Sequence, residues 1–524
     1  MDGLADARSG GSGPAASDGG AIPAGAAAGH ASAVQPILEP GRNCWRIERA
    51  DRIALLVDAI SYFGAAKAAM RKARRSVMLI GWDYDPRIRL EPHREDAAQP
   101  DVLGDLLDWL VANRPGLEVR VLRWDMPLPM ALAKYPKIAL RIRDWMTSVR
   151  LKLKLDGTHP AGASHHQKLL VVDHSIAFCG GIDFGCERWD RPGHVADDPC
   201  RVDPDGAPYP PRHDVAMAVT GPIVAALSEV ARERWRRATG EAVAPLDCSH
   251  DCWPDDLEIN IRNGRVGIAR TEPEWYAAPS VRESGALFVD MIAAARRSII
   301  LENQYFTGDA IVGALAARLS EPDGPEIVVI NPAHSPGRFE RMAMDTVRTV
   351  QVERMRRADR YGRFRIYSPF NAAGQAVIIH SKVAVIDDRL LRIGTSNISN
   401  RSIGFDTECD LAIESRPGEP GAAEARETIR AFAVRLLAEH CGVEPDAFAA
   451  AYRETGRLAA AIDSFAEGKR LRPMPESRPS AFSRWAARNH LFDPVDSGEA
   501  WWLLRRPWRP RRPSGGPRLR SGAA

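Results

Sequence analysis

Two copies of one short pattern concentrate the residues of this chain that could do chemistry. His166, Lys168 and Asp173 are spaced as His-x-Lys with an aspartate five residues after the lysine, and His380, Lys382 and Asp387 repeat the spacing. An imidazole can attack or donate a proton near neutral pH, and an ammonium group can hold a phosphate oxygen. The lysines stand out because the chain carries nine lysines against 62 arginines, and between residues 155 and 468 only Lys168 and Lys382 occur. On a strand, residues i and i+2 project from the same face, so each His and Lys can address one group together. The apolar runs Leu169–Val172 and Val383–Ile386 then anchor the strand in a core. Each aspartate has the opposite parity and falls at a turn, so its spacing reads as a turn or capping carboxylate. His165 points away from His166, which makes His166 the candidate of that adjacent pair.

After each pattern the chain returns. Ile176–Cys179 leads into Gly180-Gly181-Ile182-Asp183, and Leu391–Ile393 leads into Gly394-Thr395-Ser396-Asn397. Small residues there are expected to let an anion approach the backbone, with Ser396 and Asn397 as donors and Asp183 in the corresponding place. These three are the candidate phosphate-binding residues. Each imidazole also needs an orienting carboxylate, and Asp214 and Glu408 follow their motifs at similar positions. Which carboxylate serves which histidine stays open. Two histidines and two lysines gathered at one place suit a phosphodiester: one neutral imidazole attacks phosphorus and the other, protonated, donates to the leaving oxygen. Phosphoryl transfer needs mainly positioning and charge neutralisation, so neither metal nor cofactor is expected. Cys248, His250 and Cys252 form a single Cys-x-His-x-Cys cluster that lacks the second ligand pair of a structural zinc site.

The elements that must carry these groups are themselves repeated. Ala73–Ile80 reappears as Ala295–Glu302, in each case a helix-like segment running into a short apolar strand. A second helix (102–112 and 310–319), a strand (Glu118–Leu122 and Glu326–Ile330) and the motif strand (Lys168–Val172 and Lys382–Ile386) complete the parallel. Two similar α/β halves on one chain follow. Ala423–His440 and Pro445–Ala461 read as helices. Of 524 residues, 45% are hydrophobic and 27% charged, an ordinary globular profile too long for one core. Eight cysteines at this length make no disulfide framework. The net charge of +3 combines a tail (505–524) bearing seven arginines with a remainder at −4. That balance argues against a nucleic-acid-coating protein. The expected layout is a disordered Gly/Ala/Ser/Pro-rich lead (1–40), a first half (44–255), a second half (262–440), a helical extension (441–500) and a Trp/Arg-rich basic tail (501–524).

The duplicated motifs and the text around them resemble the phospholipase D superfamily over about residues 44–440, with the closest likeness to its eukaryotic-like branch and the bacterial relatives of that branch. The stretches that carry the resemblance are Gly81-Trp82-Asp83, Ser164 to Lys168, Gly180 to Asp183 with Arg188-Trp189-Asp190, and His213-Asp214-Val215. In the second half they are Glu302 to Phe306, Ile379 to Lys382, and Asn397 through Arg401-Ser402 to Glu408. The resemblance implies two pseudo-symmetric α/β/α sandwich domains sharing one active site, and a covalent phosphohistidine. His166 would be the nucleophile and His380 the general acid and then base. Lys168 and Lys382 would complete the catalytic set, and the family motif counts Asp173 and Asp387 with it. Two departures are visible. Arg212 stands where members often have Trp, and Thr395-Ser396 where they often have Ser-Ala. The first is expected to alter the headgroup pocket, and neither to touch the chemistry.

The leading expectation is therefore a phospholipase D acting on glycerophospholipids such as phosphatidylcholine, giving phosphatidic acid with water or a new diester with an alcohol. A cardiolipin-synthase-like phosphatidyltransferase, a nucleic-acid phosphodiesterase and an inactive lipid-binding module are the alternatives, in that order. The expected partner is a phospholipid surface rather than nucleic acid, and the expected state a monomer. No secretory signal and no apolar run of membrane-spanning length is seen, so a cytoplasmic, peripherally membrane-associated protein is expected, with signal-less secretion left open. Arg-rich sequence beside Trp501, Trp502 and Trp508 suits docking on anionic lipid.

Overall fold

In the computed structural model the residues described are 35–94, 100–125, 139–247, 250–276, 278–337, 340–468, 470–476 and 478–499. The expectations for most of the lead, for Cys248 and for the basic tail lie outside them. The lead ends earlier than expected: Ile37 and Leu38 are buried, and their amides donate to the Glu414 carboxylate (2.8 and 3.1 Å).

The strands of the first half are β1 (Arg46–Val57), β2 (Ser76–Gly81), β3 (Glu118–Trp124), β4 (Leu151–Asp156), β5 (Leu169–Val172), β6 (Ile176–Gly180), β7 (Arg212–His213) and β8 (Val215–Thr220). The second half continues with β9 (Ile261–Glu272), β10 (Val281–Arg282), β11 (Ser298–Asn303), β12 (Glu326–Ile330), β13 (Phe364–Pro369), β14 (Ile378–Ile379), β15 (Lys382–Ile386), β16 (Leu390–Gly394) and β17 (Glu408–Glu414), with β18 (Leu471–Pro473) after it. The expected repeat strands are all present, the largest boundary change being two residues added to β3.

All but β7 and β14 join one sheet, ordered β18-β13-β12-β11-β15-β16-β17-β9-β1-β8-β6-β5-β2-β3-β4 with β10 beside β9. The long antiparallel pair β1–β9 joins the two halves. Strand apolarity on both faces explains how the sheet is covered. Met78 and Ile80 face a core that runs across both halves beneath the helices Ile223–Thr239 and Ala422–Cys441. Val77 and Leu79, of the other parity, face a second core under the helices Asp58–Lys72 and Leu103–Asn113. The second half repeats this with Ile299 and Leu301 under Glu283–Ala294 and Asp309–Leu319. In Asp58–Lys72 the buried positions Ala59, Tyr62, Phe63, Ala66, Ala69 and Met70 recur at three- and four-residue spacing, and Ala73 leaves the helix in extended conformation. The segment expected as one helix over 445–461 is two, Pro445–Thr455 and Leu458–Asp463. Gly456 ends the first in the left-handed region (φ 64°) that a glycine adopts without strain.

Parallel pairing of β2 with β3 and of β11 with β12 sends their C-terminal ends to the same side as the N-terminal ends of the antiparallel neighbours β5 and β15. In α/β sheets ligands gather beyond the carboxyl ends of the parallel strands. On that side Lys382 opens β15 and Lys168 immediately precedes β5.

Candidate active site

The two motif histidines line one cavity of about 260 Å³, together with Trp82, Asp183, Arg188, Arg212, Gln304, Tyr305, Asn397 and Arg401. A larger open cleft of about 720 Å³ beside the helix Asp58–Lys72 contains neither motif. The halves are stitched at the histidines. The parallel pair β7–β14 sets Ile379 beside His213, and the His380 amide donates to the His213 carbonyl (2.8 Å). His165 bridges Thr407 in the same way, and the His166 amide donates to the Thr407 carbonyl (3.0 Å). Each histidine therefore lies next to the residue that precedes the other half's carboxylate.

This resolves the open pairing, and the pairing is crossed. His166 Nδ1 lies 2.9 Å from Glu408 Oε2, and His380 Nδ1 lies 2.6 Å from Asp214 Oδ2. Anchoring at Nδ1 leaves Nε2 of each ring for chemistry. Thr395 Oγ1 also donates to Glu408, one bond behind His166, with a hydroxyl that a serine there would equally supply.

Lys168 Nζ bonds the His166 carbonyl (3.0 Å) and pairs with Asp183 Oδ2 (3.1 Å). Lys382 Nζ bonds the His380 carbonyl and reaches the neutral Gln304 Oε1 at 3.3 Å. The two sides are thus chemically unequal. Burial dominates the electrostatics. It pushes both imidazoles well below their ordinary range, with the lysine ammonium groups adding to the effect, and lowers Lys382 to about 7. It also raises Asp214 to about 6 and Glu408 well above the carboxylate range. Because burial opposes charge on both members of each pair, the free site favours neutral, proton-sharing arrangements. A bound phosphodiester anion would reverse that balance by favouring the imidazolium.

Three expected site residues are placed elsewhere. Asp173 sits at the far end of β5 from Lys168, at φ 49°, accepting hydrogen bonds from the amides of Arg74, Arg75 and Ser76 (2.5, 2.8 and 2.6 Å). Asp387, at φ 53°, caps Arg296, Arg297 and Ser298 in the same manner (2.5, 2.7 and 2.7 Å). Neither is in the catalytic set, and the capping reading of their spacing is the one the structure realises. Ser396 spends its hydroxyl on Asp410 Oδ2 (2.6 Å) and does not line the cavity, whereas Asp183 and Asn397 do. The glycines also have another purpose. A Cβ on Gly181 would collide with the Asp214 carboxylate, and one on Gly394 with Asp410. Their smallness admits a carboxylate of the protein rather than a ligand.

Behind His380 lies a buried ion network that sequence reading missed. His213 stands between Asp58 Oδ1 (3.1 Å) and Glu302 Oε2 (3.2 Å), and Glu302 also receives His440 Nε2 (2.8 Å) and the Ser381 hydroxyl (2.9 Å). The neighbouring carboxylates outweigh burial and hold His213 well above the ordinary imidazole range, while Glu302 is held well below the carboxylate range. One signal was available: Glu302 occupies the position of Ile80 in the first repeat, an acid at the end of a buried strand. Among the described residues, donor sets of metal-binding type occur at Asp58/His194/His213/Glu439, at His213/Glu302/His440 and at Asp173/His250/Cys252. In the first two the acids and imidazoles answer one another's charge.

Residues 288–432 match the family model described as cardiolipin synthase, PLD-like domain. The chain is 22% identical over 482 residues to phospholipase D A of Dictyostelium discoideum, covering 77% of this chain and 37% of that protein. It is 25% identical over 372 residues to cardiolipin synthase A of Pseudomonas putida (strain GB-1), covering 70% of this chain and 66% of that protein. The chain thus spans about a third of the one relative and about two-thirds of the other. The crystal structure of phosphatidylserine synthase from Haemophilus influenzae Rd KW20 shares the fold, with a TM-score of 0.50 at 14% identity over 74% of this chain and 87% of that one. Sheet, duplicated motif and relatives point to one class: the chain is similar to members of the phospholipase D superfamily. Its relatives carry the names of both a lipase and a lipid synthase of that superfamily. Among the described residues no helix is long and apolar enough to cross a membrane.

Proposed function

We propose that this protein is a phospholipase D-type phosphodiesterase acting on glycerophospholipids at a membrane surface. The observation that carries the reading is the pair of histidines in one cavity, each anchored at Nδ1 by a carboxylate of the opposite half. His166 Nε2 attacks phosphorus, the bond from phosphorus to the headgroup oxygen breaks, and His380 gives its proton to the departing alcohol. Water then attacks the phosphohistidine while His380 takes the proton back, releasing phosphatidic acid and free His166. The assignment of roles is supported by the shorter contact of His380 with Asp214 (2.6 Å against 2.9 Å for His166 with Glu408), which would hold the imidazolium of a general acid once a phosphodiester anion is bound. Lys382 and Lys168 neutralise the equatorial oxygens, a job that grows as charge develops there.

Transfer to an alcohol, as the names of the Pseudomonas relatives suggest, shares the first half of this reaction and differs only in what enters the cavity second. The machinery lies within one chain, so a monomer suffices. The test is headgroup release from phosphatidylcholine and phosphatidylglycerol vesicles, with and without glycerol, beside single-stranded DNA. Lipid cleavage without added metal is expected, together with its loss in both His166→Ala and His380→Ala. Full activity in either variant, or cleavage of DNA alone, overturns the proposal.

A further inference from the structure

Arg212 is a cation of the cavity that no protein group claims among the described residues. Its side chain is about 95% buried and lines the cavity, yet its guanidinium makes no hydrogen bond or ion pair among the described residues, and Nε is fully occluded without a partner. Only its backbone amide is engaged, by Asp190 Oδ2 at 2.8 Å. The neighbouring charges are otherwise spoken for. Lys168 pairs with Asp183, Arg401 with Asp406 (2.7 Å), and Arg188 donates to the Cys186 carbonyl (2.9 Å). Asp214, two residues on, is bound by His380 and the Val215 amide. A buried unpaired guanidinium is costly, and such groups are retained where a ligand completes them.

We infer that Arg212 forms a second anion subsite beside the scissile phosphodiester, so that the preferred substrate is a phospholipid whose headgroup bears a further carboxylate or phosphate. This rests on the phospholipase D reading above. A planar guanidinium donates in parallel to the two oxygens of either anion. Glu340, in the same cavity, has Oε2 buried without a partner among the described residues. A serine headgroup would offer its carboxylate to Arg212 and its ammonium to Glu340. A second phosphodiester, as in cardiolipin, would satisfy Arg212 alone. Serine lipid is therefore expected to lead.

The experiment measures kcat/KM for headgroup release by the full chain from phosphatidylserine, cardiolipin, phosphatidylglycerol and phosphatidylcholine, each diluted in uncharged detergent micelles. Phosphatidylglycerol is the control for surface charge, since its headgroup adds no anion. Phosphatidylserine or cardiolipin is expected to exceed phosphatidylglycerol by roughly tenfold or more, the factor that charged hydrogen bonds supply. In Arg212→Met that ratio falls to near one. Arg212→Lys keeps part of it, and thermal melting checks that both variants fold. Equal rates on all four lipids, or a ratio unchanged in a folded Arg212→Met, overturn the subsite alone. Release from none of the four overturns the lipid reading and the subsite with it.

Discussion

Replacing Asp214 by Asn tests whether the crossed carboxylates are part of the chemistry. The substitution preserves shape: Oδ1 still accepts from the Val215 amide (2.8 Å) and still fits against Gly181, which has no Cβ to clash. What disappears is the negative charge 2.6 Å from His380 Nδ1, in a pair that is nearly fully buried. With charge centres about 4 Å apart and an effective dielectric of about 20, the lost attraction to the imidazolium is ~4 kcal/mol. That corresponds to a fall in kcat of roughly 10³-fold, within the range that general acid catalysis contributes.

The sign of the pH effect follows. With His380 as the proposed general acid, the alkaline limb of the kcat profile would report its proton in the substrate complex, and removing the adjacent anion lowers that pKa. The limb therefore moves to lower pH, while the early step of substrate binding changes little. The assay is steady-state headgroup release from micellar phospholipid across pH, for wild type and Asp214→Asn, with unfolding curves run beside it. A loss below tenfold with the alkaline limb unmoved would refute the orienting role of Asp214.

Gly181→Ala should disable the same histidine indirectly, because the new Cβ displaces the Asp214 carboxylate; kcat is expected to fall at least a hundredfold, and retention of more than a tenth of the activity would show that the contact can relax. Asp387→Asn, by contrast, should cost stability of about 1–2 kcal/mol through the three amides it caps, read as a lower melting temperature, with kcat changed less than threefold. Glu302→Gln should destabilise by about 3–5 kcal/mol near neutral pH by stranding the buried imidazolium of His213. Because the folded pKa of Glu302 lies below its unfolded value, this deficit is full above about pH 5 and shrinks as pH falls below about 4, which melting curves at several pH values would check.

The repeat made much of this fold legible in the sequence. Apolar runs of strand length recur in both halves beside the same His-x-Lys, and parity alone put His166 with Lys168 and turned Asp173 away from them. The pairing of His166 with Glu408 was not legible, because the partners are 242 residues apart and are brought together by the bridge of His165 to Thr407. Gly181 was misread for a similar reason: a glycine announces a close approach but not what approaches. Ser396 has the right chemistry for a phosphate donor, yet a buried Asp410 on the neighbouring strand captures it. Trp124 and Glu340 carry no motif at all and reach the cavity only through the ends of their elements.

Swapping the carboxylates between halves has a consequence for what the duplication is for. Neither half alone contains an oriented histidine, since His166 needs Glu408 and His380 needs Asp214. The repeat thus builds one site rather than two. Once both halves lie on one chain, their corresponding positions are free to differ, and they do. Trp82 faces Gln304, Asp183 faces Asn397, and Arg212 faces Asp406, each pair occupying equivalent places and lining the same cavity. A symmetric site would treat the two ester arms of a phosphodiester alike. Here one flank offers a guanidinium uncommitted among the described residues and the stacked indoles of Trp82 and Trp124 (centroids 5.6 Å apart), while the other offers amides and an acid already tied to Arg401. On the proposed phospholipase D reading, that inequality would let the cavity tell a headgroup from a diacylglycerol arm, and so decide which oxygen leaves on the proton of His380.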